Sequence, residues 1–327
     1  MVFREFWVRR KIKQLAAVLF AVSILASQAL AESELHIIAA CDTAHPDFGE
    51  AFEINLLRIK SVFLDHVATD RLRITELRSR DDDPLTKKKL QAAIRGVSVN
   101  PDDTLLVYLA CGSPADGEQG QSFQFSGNEE VFTRRSIRHS VTSRNVRLGG
   151  LLTDPCVEYS ILTTPMTAIS AIGPANSKTK PLFRHLFFTS TGLLDWSACA
   201  PDQFALYANN YRDIRQEDAD GLTKKWVLAQ RHYDGISGEF AFNFGSMYIQ
   251  RMDAPRYAAR GGLFTESFAK TLSKHADDQL TWAEFKLLTQ KELTTSFIRE
   301  SSGGLVFVND KWVPQKRQSI TVHSSPD

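Results

Sequence analysis

Short continuous apolar runs alternate along this chain with longer stretches in which apolar residues return at helical spacing. Leu35-His36-Ile37-Ile38-Ala39-Ala40 is the first such run and reads as a buried strand. From Phe52 to Val67 the apolar positions Phe52, Leu56, Ile59, Val62 and Phe63 recur with helical period, and Arg58, Lys60 and Asp65 mark the polar side. Leu72-Arg73-Ile74-Thr75-Glu76-Leu77 alternates and reads as a second strand. The charged turn Asp81-Asp82-Asp83-Pro84 leads into a helix from Leu85 to Arg95. A second turn, Asn100-Pro101-Asp102-Asp103, opens onto Thr104–Ala110, a continuous apolar strand of the kind covered on both faces. Residues 112–132 are glycine-rich and polar apart from Phe123-Gln124-Phe125, a candidate hairpin arm. Thr133–Thr142 reads as a helix and Asn145–Thr153 as a strand, with Gly149 and Gly150 weakening the strand assignment.

This repeated strand–helix alternation predicts an α/β domain, a mostly parallel sheet with helices on both faces. In such sheets ligands gather at the carboxyl ends of the strands. Cys41, Cys111 and Cys156 sit at the ends of the first, third and fourth strands, and Cys199 ends a later candidate strand, Leu193–Ala198. Any one cysteine is usually a small buried hydrophobe; recurrence at strand ends makes chemistry a competing reading. Further on come a Pro/Thr/Ser-rich crossover over residues 163–180 and a helix from Leu182 to Phe188. An aromatic-rich stretch near 208–258 has the character of an insertion. A helix follows Gly261-Gly262 through Leu263, Phe264, Phe268 and Leu272, and Thr281 caps another that starts at Trp282. Residues 311–327 form a tail; Arg317–Asp327 has no core-forming pattern and is expected to be disordered.

Charge changes the picture little. With 39 basic against 38 acidic side chains, there is no electrostatic reason to expect nucleic acid or an anionic membrane as partner. The N-terminus changes it more. Arg4, Arg9, Arg10, Lys11 and Lys13 precede an apolar run from Leu15 to Ala26, and Ala29-Leu30-Ala31 makes an A-x-A site. Residues 1–31 therefore read as a secretory signal peptide rather than a permanent anchor, with the folded domain over 32–310 and export to a periplasmic or extracellular compartment. Export permits disulfides, and four cysteines allow three complete pairings that spacing cannot choose among. No C-x-x-C spacing or His/Cys cluster suggests a metal, and no glycine-rich phosphate loop follows the first strand, so no metal or organic cofactor is expected.

The segments Val107-Tyr108-Leu109-Ala110-Cys111-Gly112-Ser113, Leu151-Leu152-Thr153-Asp154-Pro155-Cys156 and Gly261-Gly262-Leu263-Phe264-Thr265-Glu266 occur in that order. Together they resemble the caspase/metacaspase superfamily of cysteine endopeptidases, in particular its bacterial caspase-like branch. The resemblance covers roughly residues 35–300 and implies a caspase-like three-layer α/β sandwich. It places Cys156 at the nucleophile position. Asp154 would line a first specificity pocket that favours Arg or Lys before the scissile bond, and Cys199 is a further pocket candidate. Asp116 and Phe123-Gln124-Phe125 keep the intervening loop in register. Gly112 then falls where the family carries its histidine, and Ser113 where it carries an oxyanion-hole glycine.

Such a site needs an imidazole beside the thiol, to lower its pKa and later protonate the leaving amine. Glycine cannot transfer a proton. His45, which follows the strand next to the third in this topology, is the candidate substitute, although its place before Pro46 suits a surface turn equally well. Two functions follow. One is a pseudopeptidase that binds a peptide or protein, an active caspase-like relative included. The other is an active endopeptidase cleaving after Arg or Lys, with Cys156 as nucleophile and His45 as base. A disulfide of Cys111 with Cys156, or of Cys111 with Cys41, formed by the oxidant of an export compartment, is a third and structural reading.

Overall fold

The computed structural model describes residues 32–46, 48–80, 82–114, 121–128, 130–155, 158–161, 176–199, 206–211, 257–300, 305–308, 311–314 and 318–326. Five parallel strands form the body of the main sheet: β1 (Leu35–Cys41), β2 (Leu72–Arg78), β3 (Thr104–Ala110), β6 (Leu148–Thr153) and β8 (Gly192–Ser197). A last strand, β13 (Thr321–Ser324), pairs antiparallel with β8, giving the order β13-β8-β6-β3-β1-β2. The parallel pairs run in register, with Cys41 opposite Ala110 and Leu109 opposite Thr153. The α/β class expected from the alternation is the one observed.

Both faces of the sheet are covered, and residue alternation along each strand feeds two separate cores. Leu35, Ile37, Ala39 and Cys41 of β1, with Leu106 and Tyr108 of β3, face one side. There they meet α1 (Gly49–Leu64), α4 (Pro181–Phe188), α5 (Leu263–Lys274) and α6 (Trp282–Glu300). Ile38, Ala40, Leu105, Val107, Leu109 and Cys111 face the other side, against α2 (Lys87–Gly96) and α3 (Arg134–Thr142). Aromatic rings dominate the first core: Phe63, Phe183 and Phe187 meet at 5.1–6.0 Å, and Trp196, Trp282 and Phe285 at 5.4–6.1 Å. Each such buried ring contributes about 1.5–3 kcal/mol through burial.

Local sequence explains the helix starts. Thr86 caps α2 by accepting the Lys89 amide at 3.1 Å. Thr133 does the same for α3. Thr281 and Glu284 exchange hydrogen bonds at the head of α6, a capping box. Pro181 opens α4, where its missing N–H costs nothing.

The glycine-rich segment after β3 contains a small hairpin, β4 (Ser122–Phe123) against β5 (Phe132–Thr133). Phe123, Phe125 and Phe132 bury their rings against the second core. A second sheet is formed by β7 (Glu158–Ile161), β9 (Leu206–Tyr211) and β10 (Tyr257–Gly262), in the order β10-β9-β7. The aromatic-rich stretch that β9 and β10 flank lies outside the described residues. β11 (Leu305–Val308) and β12 (Lys311–Pro314) form a separate antiparallel pair.

Two expectations need correction. The tail expected to be disordered supplies β13, because an open β8 edge offers backbone partners that a polar sequence can use without a core pattern of its own. Gln318 is fully buried, its amide donating to the Ala198 carbonyl at 2.8 Å. The cysteine pairing considered above also fails for Cys41 and Cys111. Both are free thiols, and strand alternation sends them to opposite faces of the sheet.

Candidate functional site

The chain passes from β1 to β2 on one side and returns to place β3 on the other side of β1. The topological switch point therefore lies between β1 and β3, where crevices form at strand ends in this class of sheet. Two segments leave the sheet there: Asp42-Thr43-Ala44-His45 from β1, and Cys111-Gly112-Ser113 from β3. Backbone bonds curl the first segment back on itself, His45 N–H to the Asp42 carbonyl at 3.0 Å and Gly49 N–H to the His45 carbonyl at 2.9 Å. A Cβ at Gly49 would lie 2.4 Å from the Thr43 oxygen, so only glycine lets α1 start so close to this turn.

The turn delivers the His45 ring to Gly112. A Cβ built on Gly112 would stand 3.3 Å from the Gln124 carbonyl oxygen, a tight contact, and 3.6 Å from His45 Nε2, an ordinary one, so the imidazole borders the position that a side chain there would take. The ring is half-buried, packed on Phe48 at 4.9 Å and on Phe52 at 5.9 Å. Its Nδ1 accepts the Phe48 backbone N–H at 3.2 Å. Because that amide can only donate, Nδ1 is bare and the neutral ring carries its proton on Nε2.

Opposite His45 stands the loop beyond β4. Gly112 and Gln124 form an isolated bridge, with the Gln124 N–H donating to the Gly112 carbonyl at 3.0 Å. Asp42, fully buried, accepts both the N–H and the hydroxyl of Ser126 at 2.7 Å and clamps the loop to the end of β1. The result is a cleft of about 590 Å³ whose walls include His45, Gly112, Ser113, Gln124 and Ser126. Ser113 donates its hydroxyl to the Ser122 carbonyl at 2.8 Å.

At the end of β6 the arrangement is closed. Asp154 is fully buried on the α1 and α5 side. Its carboxylate accepts from the Asn55 amide at 3.2 Å and from both the hydroxyl and the backbone N–H of Thr265, in the first turn of α5. Gly262, the N-cap of α5, has no side chain to cap the helix, so Asp154 supplies the acceptor from across the chain. A Cβ on Gly262 would fall 2.2 Å from Asp154 Oδ2, and one on Gly261, at φ +87°, 2.4 Å from Asn55 Oδ1. Burial pushes the Asp154 carboxyl up to about 7, against the downward pull of the Thr265 and Asn55 hydrogen bonds and of Arg58. The residue expected to line a specificity pocket has no solvent-accessible surface.

Cys156 lies outside the described residues, in the link between β6 and β7, as does Asp116 between β3 and β4. The other cysteines are buried. Burial raises the Cys41 thiol well above its usual range, helped by Glu53 and Asp154, and raises Cys111 likewise, helped by Asp42. Both are thereby kept as thiols and are poor nucleophiles. Cys199 is 1% exposed, beside β8. His66 and His185 belong to the α1/α4 side, His66 stacked on Phe183 at 5.0 Å and His185 within α4, and His139 is on α3. Among the described residues, no group of three or more His, Cys, Asp or Glu could hold a metal ion, and no helix is long and apolar enough to cross a membrane.

Residue types alone do not single out Asn55 or Ser126, the bond of Thr265 to Asp154, or the buried Arg134–Asp195 pair, because each partner is far away in sequence. The last had a signal. Arg134 shares the inward stripe of α3 with Ile137 and Val141, and Asp195 interrupts the apolar run of β8.

The sequence matches no family model and no curated protein. Among solved structures the chain is similar to "pro-sf-caspase-1", with 9% identity over 90% of this chain and 92% of that one, at a TM-score of 0.46. It is similar to caspase-1 from Spodoptera frugiperda as well, with 10% identity over 90% of this chain and 88% of that one, also at 0.46.

Proposed function

We propose that this chain is a caspase-like peptidase homologue that binds a peptide or protein segment across the ends of β1, β3 and β6 and turns it over weakly or not at all. Cys156 holds the nucleophile position in this reading. The observation that carries it is the state of His45 beside Gly112. A general base must take the thiol proton on a bare nitrogen, whereas this ring presents Nε2–H toward Gly112 and has its bare Nδ1 occupied by the Phe48 amide. Forming the imidazolium would set two N–H groups against each other. Losing a working base in such a site costs several orders of magnitude in turnover.

The second reading, an active endopeptidase with His45 as base, draws on the same ring lying beside Gly112. It requires the turn to yield, so that Nδ1 gains a proton. Fluorogenic peptides with Arg or Lys before the scissile bond separate the two. The expected result is turnover by the unmodified chain no greater than that of Cys156→Ala, with binding of the uncleaved peptide still measurable by fluorescence polarisation. Turnover that disappears in both Cys156→Ala and His45→Ala replaces the first reading by the second, and absence of both turnover and binding removes them together.

A further inference from the structure

A second cavity, of about 400 Å³, opens beside the same hairpin at the sheet edge formed by β8 and β13. Its walls carry Arg134, Arg135, Arg138 and His139 from α3, Asp195 from β8 and His323 from β13. Arg134 is 2% exposed and points into the fold. Its Nε donates to Asp195 Oδ1 at 2.8 Å and its Nη2 to the same oxygen and to the Trp196 carbonyl, while Nη1 reaches Thr153. This pair cancels its own charge. What remains is cationic: Arg135 and Arg138 are exposed, and residues 131–153 contain no Asp or Glu at all.

Asp195 is itself fully buried, and its hydrogen bonds fall on one oxygen. Oδ2 accepts none; the nearest cation is Arg138 Nη1 at 3.7 Å, beyond hydrogen-bond reach. A carboxylate oxygen has lone pairs for more than one donor, so Asp195 Oδ2, hydrogen-bonded to no protein group, retains the capacity to accept one. The ligand that satisfies the whole cavity must offer several anionic acceptors to the arginines and one hydroxyl to Asp195. Inorganic phosphate meets both demands near neutral pH, where it always retains a P–OH. Sulfate has no proton to give, and a phosphomonoester has replaced that hydroxyl by an ester link.

We propose that the cavity between α3, β8 and β13 is a binding site for free hydrogen phosphate, held by Arg135 and Arg138 and selected by Asp195 Oδ2, which Arg138 uncovers as it turns to the anion. His323 offers a probe. Burial, with Arg134 and Arg138, holds its imidazole below the usual range against the opposing pull of Asp195, and its Nε2 lies 3.3 Å from the Gln121 amide. A bound dianion would shift its ring resonances.

The test is calorimetric titration of the full chain with inorganic phosphate, sulfate and phenyl phosphate at pH 7, in the unmodified protein and in Arg135→Gln and Arg138→Gln. Both arginines are exposed, so both variants are expected to fold, which circular dichroism checks. Phosphate is expected to saturate at roughly millimolar concentration or below. Sulfate and phenyl phosphate should bind at least about tenfold more weakly, and each arginine variant should lose about tenfold in phosphate affinity. Phosphate that does not saturate, sulfate or phenyl phosphate that binds equally well, or variants that bind phosphate unchanged would each overturn the site.

Discussion

The carboxyl ends of β3 and β6 are neighbours in one sheet, yet one ends in space and the other in a knot. Two residues beyond the end of β3 stands Gly112, with no side chain, and a ring from the β1 turn leans over it beside a solvent-open cleft. After β6 the chain continues as Asp154, gripped by Asn55 from α1 and Thr265 from α5 and sealed by Gly262. The sheet decides where each strand stops. What the stop can do depends on side chains arriving from elsewhere in the chain: a turn at one end, two helices at the other. Openness at β3 and closure at β6 therefore have different sensitivities to substitution.

The largest effect is expected where the knot is tightest. Gly262→Ala places a Cβ against the Asp154 carboxylate at a backbone φ of −74°, so the cost comes from collision rather than from conformation. Urea denaturation should show a loss of about 3 kcal/mol; a variant within about 0.5 kcal/mol of the original would mean the knot is slack. Next comes the open end. His45→Ala combined with Gly112→His restores an imidazole to the β3 terminus in room that His45 now borders. Cys156-dependent turnover of Arg or Lys peptides should rise about a hundredfold, the lower range for general acid–base catalysis. A folded double variant with no gain would mean that proton transfer is not what this end lacks.

The third comparison is graded by pH. Asp154 titrates at about 7 in the folded chain, against about 4 in an unfolded one. Between those values the native state keeps a proton that the unfolded state has released. This group's stabilising contribution is thus fully present below about pH 4 and is lost as pH rises through 7, by up to about 1.4 kcal/mol per pH unit. Asp154→Asn should flatten that slope in denaturation midpoints taken from pH 4 to pH 8. Parallel profiles for the two proteins would show that Asp154 ionises freely.

Most of the fold was legible in hydrophobic period. β1, β3 and the helices α1, α2 and α5 carry enough apolar residues at the right spacing for their burial to be read directly, and Thr281 announced the start of α6. β13 was not legible, because Thr321-Val322-His323-Ser324 owes its strand to an edge that another segment leaves open. The site was legible only in part. Gly112 stood out as a place where chemistry is missing, but the arrival of the His45 ring depends on how tightly the Thr43–Gly49 turn closes, which no pattern encodes. Asp154 is a pocket residue only by the family resemblance, and its partners in the fold come from the distant helices α1 and α5, which no local pattern encodes.

The closure of the sheet by β13 also has a consequence for the order of events during folding. Gln318 and Ala198, which join the tail to the end of β8, are separated by 120 residues along the chain. A contact of such span carries a large loop-closure entropy and forms late relative to local pairings. Until it forms, β8 is an unprotected edge strand with unpaired backbone groups, the kind of surface that recruits another chain. Nascent or partly unfolded molecules are thus most exposed to mutual association along β8, and the tail strand, the last main-sheet strand to be synthesised, removes that hazard.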